Sequence, residues 1–517
     1  MKKLTLLLCF VSFLIKAQNI TVDSGGSFTI EKTGSVTVSG TFSNAGTFTL
    51  NSDSDEFSSL IIGGSVTGNI TYNRYVNSVG TNEWDLIGSP VDGQSINSFV
   101  TANTSTLATN GATKAIGYYN NTDNTWTNYT TSTIVGAGNF PLGKGFQMAT
   151  IANGTGILSF TGAPTATNQT WTIIDNDAAN SGAGTRWNLV ANPFPSYIYG
   201  NANADSSHNF LTVNSDKLND SYEAIYGYDA DGSGYTVYNN TSAALRLAPG
   251  QAFMVASDNA ENDTISFTTA MRTTTGGDDL IVGRDPIDSF ELVLKLYEGD
   301  SEIDHTKFYF GDGLGLDLDP GYDAGHFNQG ASLMSRLVEE DEGVGLVINA
   351  MGLESVNDVV APLELNREAG NNFRISIGTF NIDTAINVYL EDNVQGTMTL
   401  LNDQDFELTA ENELSGVGRF FIHLTETLLS IDDKIETNYL NVFKADVNNF
   451  ITVEGLANQW NGTKLRLYTI LGKEVIFTTL NNTNNKQTIS TQSLSTGIYI
   501  VKLESGNILL TKKLFIK

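Results

Sequence analysis

The sequence predicts an all-β chain, and three observations carry that expectation. Gly, Ser, Thr and Asn abound while only 9 of 517 residues are Pro; with many aromatic and β-branched residues, this reads as strands joined by turns. Apolar and polar residues alternate within short runs such as "GSFTI", "GSVTV" and "GTFTL", the period of a strand with one buried face. Farther along, strand-like runs separated by turn residues recur at the interval of a β-sandwich. The expected order is a short β-helix-like N-terminal segment, two duplicated β-rich units, a β-sandwich and a second β-sandwich at the C-terminus.

Residues 1–17, "MKKLTLLLCFVSFLIKA", have the parts of a secretory signal peptide. Lys2 and Lys3 form a charged start, Leu4 to Ile15 an apolar run too short for a stable anchor, and Ala17 a cleavage residue. The one cysteine, Cys9, lies inside the apolar run, so the mature chain has neither disulfide nor thiol chemistry.

Residues 18–78 carry six glycine-punctuated units, which fit a small parallel β-helix or an antiparallel meander. A duplication follows, with units at 79–168 and 169–283. "WDLIGSP" from Trp84 returns as "WNLVANP" from Trp187, and "YNNTDNTW" (Tyr119 to Trp126) as "YDADGSGY" (Tyr228 to Tyr235). "GKGFQMA" from Gly143 returns as "GQAFMVA" from Gly250, and Phe160 matches Phe267. Four anchors in one order argue for two copies of one unit.

Residues 284–428 read as a sandwich of runs such as "FELVLKLYEGD", "GVGLVINAMG" and "GRFFIHLTE". Only "GASLMSRLVEEDE" suggests a helical turn. Residues 429–440 read as a linker. In the last body, 441–517, Tyr499, Val501 and Leu503 share one face of a strand, and Ile508, Leu510, Leu514 and Ile516 share another, interrupted by Lys512.

The net charge of −29 is uneven. Residues 18–440 hold 53 acidic against 16 basic side chains, and residues 441–517 hold 9 basic against 4 acidic. An acidic main body repels phosphate, which argues against nucleic acid as a partner.

The ending "LRLYTILGKEV … LSTGIYIVKLESGNILLTKKLFIK" resembles the type A C-terminal sorting domain of the type IX secretion system of Bacteroidota. The likeness rests on Gly472 and Lys473 at a turn, the Leu494-x-x-Gly497-x-Tyr499 step, and Lys512 and Lys513 in the last strand. One departure is "VFKADVNNF" where the family has a Pro-Asn-Pro element. The resemblance implies an Ig-like β-sandwich that acts as an export signal. It further implies passage through the periplasm to a translocon, removal of the tail near 428–440 by a sortase-like peptidase, and either attachment to surface lipopolysaccharide or release.

Chemistry is sparsely signalled. Asp229 and Asp231 in "DADGSG", and Asp317, Asp319 and Asp323 in "GDGLGLDLDPGYDAGH", place oxygen ligands at calcium-like spacing, and both stretches equally fit plain turns. Trp126 and Tyr235 lie among aromatics flanked by Asn and Asp, which suits stacking on sugar rings and equally suits cross-strand packing. "DTI" at Asp263 and "DTA" at Asp383 fit a short O-glycosylation pattern. His208, His305, His326 and His423 show no metal-ligand spacing, and no Gly-x-Ser-x-Gly elbow is present. The expectation is a non-catalytic, adhesin-like binding protein, secreted or displayed on the outer-membrane surface. Its alternatives are a carbohydrate-binding protein for polysaccharide use and an unrecognised secreted hydrolase.

Overall fold

The computed structural model describes residues 14–516 apart from 80–83, 180–183, 230–233, 260, 280–289, 328–329, 383–384, 427–438, 445–449, 460–461 and 507. It is all-β and divides into two compact units, residues 1–218 with 225–284, and residues 219–224 with 285–517.

The first unit opens with three ribbons of parallel strands. Leu14–Ala17, Ser35–Val38 and Ser59–Ile62 pair in that order. So do Ile20–Val22, Phe42–Asn44 and Val66–Thr67, and Ser27–Ile30, Thr47–Asn51 and Ile70–Tyr75. Every one of these pairings is parallel, because each strand meets the strand three places later and not its immediate successor. Val36, Val38, Phe42, Phe48, Leu50, Leu60 and Ile62 fill the space between the ribbons, with Phe28 stacked on Phe48 at 4.9 Å. The glycine punctuation follows from the stacking: a Cβ at Gly64 would lie 2.4 Å from the carbonyl oxygen of Gly40. The expected signal segment falls partly outside the described residues, and its last four residues form the strand Leu14–Ala17.

Beyond the ribbons lie two sheets with strands in matching order. In one, Asp85–Ile87, Phe146–Met148 and Thr113–Asn120 are neighbours, with Thr125–Thr130 beside the last. In the other, the order is Trp187–Ala191, Ala252–Ala256, Ile225–Asp229, Gly234–Tyr238. Each is accompanied by an outer antiparallel pair, Ile70–Tyr75 with Ile157–Gly162 and Gln169–Ile173 with Asp263–Phe267. Each also has a short helix that the sequence reading missed. Ser95 caps Ile96–Ala102 and Asn209 caps Phe210–Asn214, each side-chain oxygen accepting from the backbone N–H three residues on. Arg74 is fully buried and ties distant stretches together: its Nη2 lies 2.6 Å from Asp279 Oδ2, its Nε donates to the Pro249 carbonyl, and it sits over the Phe57 ring.

In the second unit, residues 290–425 form one sheet of eleven strands. Its arms face each other over a shared core that includes Leu292, Leu294, Leu363, Phe373, Phe406, Phe420 and Ile422. One pairing is parallel, Ser301–Gly311 with Leu346–Gly352. The helical turn expected in "GASLMSRLVEEDE" is instead the strand Ser332–Ser335, which is fully buried between Asp358–Asn366 and Leu346. Burial on both faces removes the amphipathic contrast that would have marked it as a strand.

The C-terminal residues build a sandwich of two sheets. Three strands, Asn441–Phe443, Phe450–Glu454 and Lys486–Ser490, form one layer. Glu474–Leu480, Thr463–Thr469, Gly497–Ser505 and Ile508–Ile516 form the other. Val442, Ile451, Val453, Leu465, Leu467, Val501 and Leu503 pack between them.

Candidate functional site

The C-terminal sandwich contains every residue that the sequence singled out for sorting. Gly472 adopts φ of +80°, and its N–H donates to the Thr469 carbonyl, closing the tight turn between Thr463–Thr469 and Glu474–Leu480. Lys473 completes the turn through its N–H to Thr469 Oγ1 and its carbonyl to the Thr469 N–H. Gly497 starts the next strand, and Tyr499 two residues on is buried, its hydroxyl donating to the Ser495 carbonyl at 2.9 Å. That bond fixes the entry of the strand, which then pairs along its whole length with the last one. The outward side of this sheet carries Arg466, Phe477, Ile498, Lys513 and Phe515. Lys512 points the other way.

Lys512 reaches residues 341 and 342. Its Nζ donates to the Asp341 carbonyl at 3.0 Å and lies 3.1 Å from Glu342 Oε1. Around it is a cluster that the sequence reading did not find. Arg336, 1% exposed, directs Nε and Nη2 at Asp341, and Nη1 at Glu364 (3.0 Å) and Glu454 (3.3 Å). Burial alone would weaken its proton affinity, but Asp341, Glu454 and Glu364 outweigh that and hold the guanidinium more firmly charged than usual. Asp341 Oδ2 also accepts from the Tyr439 hydroxyl at 2.6 Å and from Asn441 Nδ2 at 3.0 Å. Burial first, and the Asp341 charge second, push the Tyr439 hydroxyl well above its ordinary range. The one sequence signal for this cluster was an arginine, Arg336, set among apolar residues.

The acidic loop is held by its own backbone. Asp319 Oδ2 accepts from the Gly315 N–H, and Asp323 accepts from the Asp319 N–H at 2.7 Å and the Ala350 N–H at 2.7 Å. Asp323 is fully buried, and burial pushes its carboxyl up to about 7 despite those two donors. Asp317 lies beside Gly315. Of the other acidic loop, Asp231 lies outside the described residues and Asp229 ends the strand Ile225–Asp229. Among the described residues, no group of three or more His, Cys, Asp or Glu side chains is placed to hold a metal ion.

The two aromatic candidates are members of cross-strand pairs. Trp126 stands opposite Tyr119, with ring centroids 5.2 Å apart, and Tyr235 stands opposite Tyr228, at 5.3 Å. Trp126 is 37% exposed, while Tyr235 is half-buried and its hydroxyl is pushed up by burial. The four histidines each lie near a carboxylate: His208 by Asp205, His305 by Glu302, His326 by Asp304 and His423 by Glu391. Asp304 Oδ2 also accepts from the Leu333 N–H, which fits a structural pair. Asp263 starts a strand, and Asp383 lies outside the described residues. Among the described residues, no helix is long and apolar enough to cross a membrane.

Two family models match the chain. One, described as Domain of unknown function (DUF8693), matches residues 11–423. The other, described as Secretion system C-terminal sorting domain, matches residues 445–517. No curated protein matches it. The sorting domain supports export by type IX secretion, to the cell surface or the extracellular space.

Proposed function

Because the chain belongs to the DUF8693 family and ends in a secretion sorting domain, we propose that it is a surface-displayed or released binding protein whose tail serves as its export signal. The observation that carries the export half of this reading is the seven-stranded C-terminal sandwich, with the Gly472 turn and the Tyr499 strand entry in place. In this reading the tail is of type A and the source a member of the Bacteroidota. The chain enters the periplasm by its N-terminal segment, and a sortase-like peptidase cuts within 428–440. The remainder is then joined to lipopolysaccharide or set free.

The passenger is read as adhesin-like and non-catalytic. That reading is supported by histidines beside carboxylates and by polar loops stapled to their own backbone. A second reading, carbohydrate binding, is favoured by one observation, the exposed face of Trp126 beside Tyr119. Calcium at the 311–326 loop stays a proposal tied to Asp317, Asp319 and Asp323.

Deleting 441–517 tests the export half: the truncated chain should accumulate inside the cell envelope. Undiminished appearance in the medium or on the surface would overturn it. For the passenger, a glycan array probed with the full chain separates the two binding readings. Turnover of any glycan or peptide by the purified chain would overturn the non-enzymatic one.

A further inference from the structure

We propose that the eleven-stranded body carries a docking socket for its own sorting domain, centred on Arg336, and that the two remain bound after the chain between them is cut. The cut rests on the export reading above; the socket does not.

One side of the socket comes from residues 336–364, 417 and 421. Arg336 is closed in by Asp341 and Glu364, and its own carbonyl accepts from Asn349 Nδ2. Gly343, with φ of +86°, turns the backbone so closely against Phe443 that a Cβ there would lie 2.2 Å from the ring. The other side comes from the tail. Glu454 supplies the third carboxylate to Arg336 and is itself held by Lys486 at 2.9 Å. Phe443 lies 5.8 Å from the guanidinium. Tyr439, Asn441 and Lys512 saturate the Asp341 carboxylate and carbonyl. Away from the cluster, Asn485 Nδ2 donates to the Val417 carbonyl, and the Tyr439 ring packs on Phe421.

This is the chemistry of an interface and not of a tether. A loosely attached tail leaves its partner's polar groups in water. Here a guanidinium and two acids, Asp341 and Glu454, are at least nine-tenths buried, with partners drawn from both sides. Separation leaves Arg336 short of one carboxylate, Asp341 short of three donors and Phe443 in water. Breaking a buried pair by removing one partner is far more costly than losing an exposed one. The partner that fits is therefore a β-sandwich edge presenting an aromatic ring, a carboxylate and an ammonium in this arrangement, which the sorting domain of this chain does.

The test uses the full chain with a site for an added protease placed within 429–438, so that nothing depends on the cell's own peptidase. After cutting at about 10 µM, the expected result is one species in size-exclusion chromatography containing both fragments. Arg336→Leu and the isosteric Glu454→Gln should each weaken retention about tenfold or more, and Lys512→Ala by less. Circular dichroism and thermal unfolding of the uncut variants show that both parts stay folded; Glu454→Gln serves if Arg336→Leu does not fold. Two separate species from the cut parent chain would overturn the proposal. Undiminished retention in folded Glu454→Gln and Arg336→Leu would overturn the role of the Arg336 cluster. Failure of the deletion strain to retain its product bears on export alone and leaves this result standing.

Discussion

The amide of Gly88 donates to the carbonyl of Gly250 at 2.7 Å, and the amide of Ala191 donates to the carbonyl of Gly143 at 2.9 Å. Gly88 and Ala191 hold the same place in "WDLIGSP" and "WNLVANP", as Gly143 and Gly250 do in "GKGFQMA" and "GQAFMVA". The bridges Ile87 to Gln251 and Lys144 to Val190 obey the same exchange. The two sheets thus meet through one contact made twice, as in an isologous dimer. A side chain at Gly88 has no room: its Cβ would lie 2.3 Å from Ala191 Cβ and 2.8 Å from the Lys144 carbonyl. Gly88→Val is expected to destabilise the first unit by about 2–3 kcal/mol, read as a lowered urea midpoint.

Gly68 and Gly25 separate two costs that glycine avoids. Both have positive φ, +89° and +82°. A Cβ at Gly68 would strike the Asn44 carbonyl oxygen at 1.9 Å, whereas nothing lies within 4 Å of one at Gly25. Gly25→Ala should cost about 1 kcal/mol for the left-handed backbone alone, and Gly68→Ala about 3 kcal/mol or more. Equal losses in chemical unfolding would show that the strand-on-strand contact between Gly68 and Asn44 is not tight.

Asp323 makes the second unit sensitive to pH. Its carboxyl is raised from 3.8 to about 7, so the folded state holds a proton that the unfolded chain releases. The associated stabilisation is fully present below about pH 4 and is lost as pH rises towards 7, a change of roughly 4 kcal/mol at most. Unfolding measured across that interval should show the fall in the parent chain, and a flatter profile in Asp323→Asn. A parent profile with no fall would count against the buried protonated carboxyl.

Trp126 and Tyr235 should respond differently to truncation. Trp126→Ala removes an exposed partner of Tyr119 and should cost about 1 kcal/mol, while Tyr235→Ala opens a more buried position and should cost about 3 kcal/mol. If sugar binding is found, its loss in Trp126→Ala without loss of the melting transition would place the ligand on that ring. Retained binding in both variants would remove the aromatic pairs from consideration.

The legible parts of this chain are those whose causes are local. Tyr499, Val501 and Leu503 are buried and alternate with the half-buried Ile500, Lys502 and Glu504, so the inward face of their strand could be read directly, and Gly472 marks a turn that needs positive φ. The parallel pairing of the glycine-punctuated runs was half legible. Their alternation gives strands, but Val36 is paired with Ile15 on one side and Leu60 on the other, which only the fold selects. The helix Ile96–Ala102 was missed because its apolar residues, Ile96, Phe99 and Val100, span less than two turns. The Arg336 cluster was out of reach for a different reason. Its carboxylates Asp341, Glu364 and Glu454 come from three separate stretches, and no spacing rule joins them. Lys512, read as an interruption of an apolar face, interrupts it because that face meets Asp341 and Glu342 there.

The ribbon stack has two unlike ends. At one, Ser59–Ile62 is closed off by later residues: the Leu60 N–H donates to the Pro195 carbonyl, Arg272 Nη1 donates to the Ile62 carbonyl and Ser59 Oγ to that of Thr273. At the other, Leu14–Ala17 pairs with Ser35–Val38 and, among the described residues, has no strand on its other side. If the chain were cut after Ala17, as a secretory signal would be, that edge would pass from Leu14–Ala17 to Ser35–Val38, and a parallel edge is the kind of surface that accepts a strand from elsewhere. Such a cut would move the extendable edge inward by one strand, while the end sealed by Pro195, Arg272 and Thr273 stays as it is.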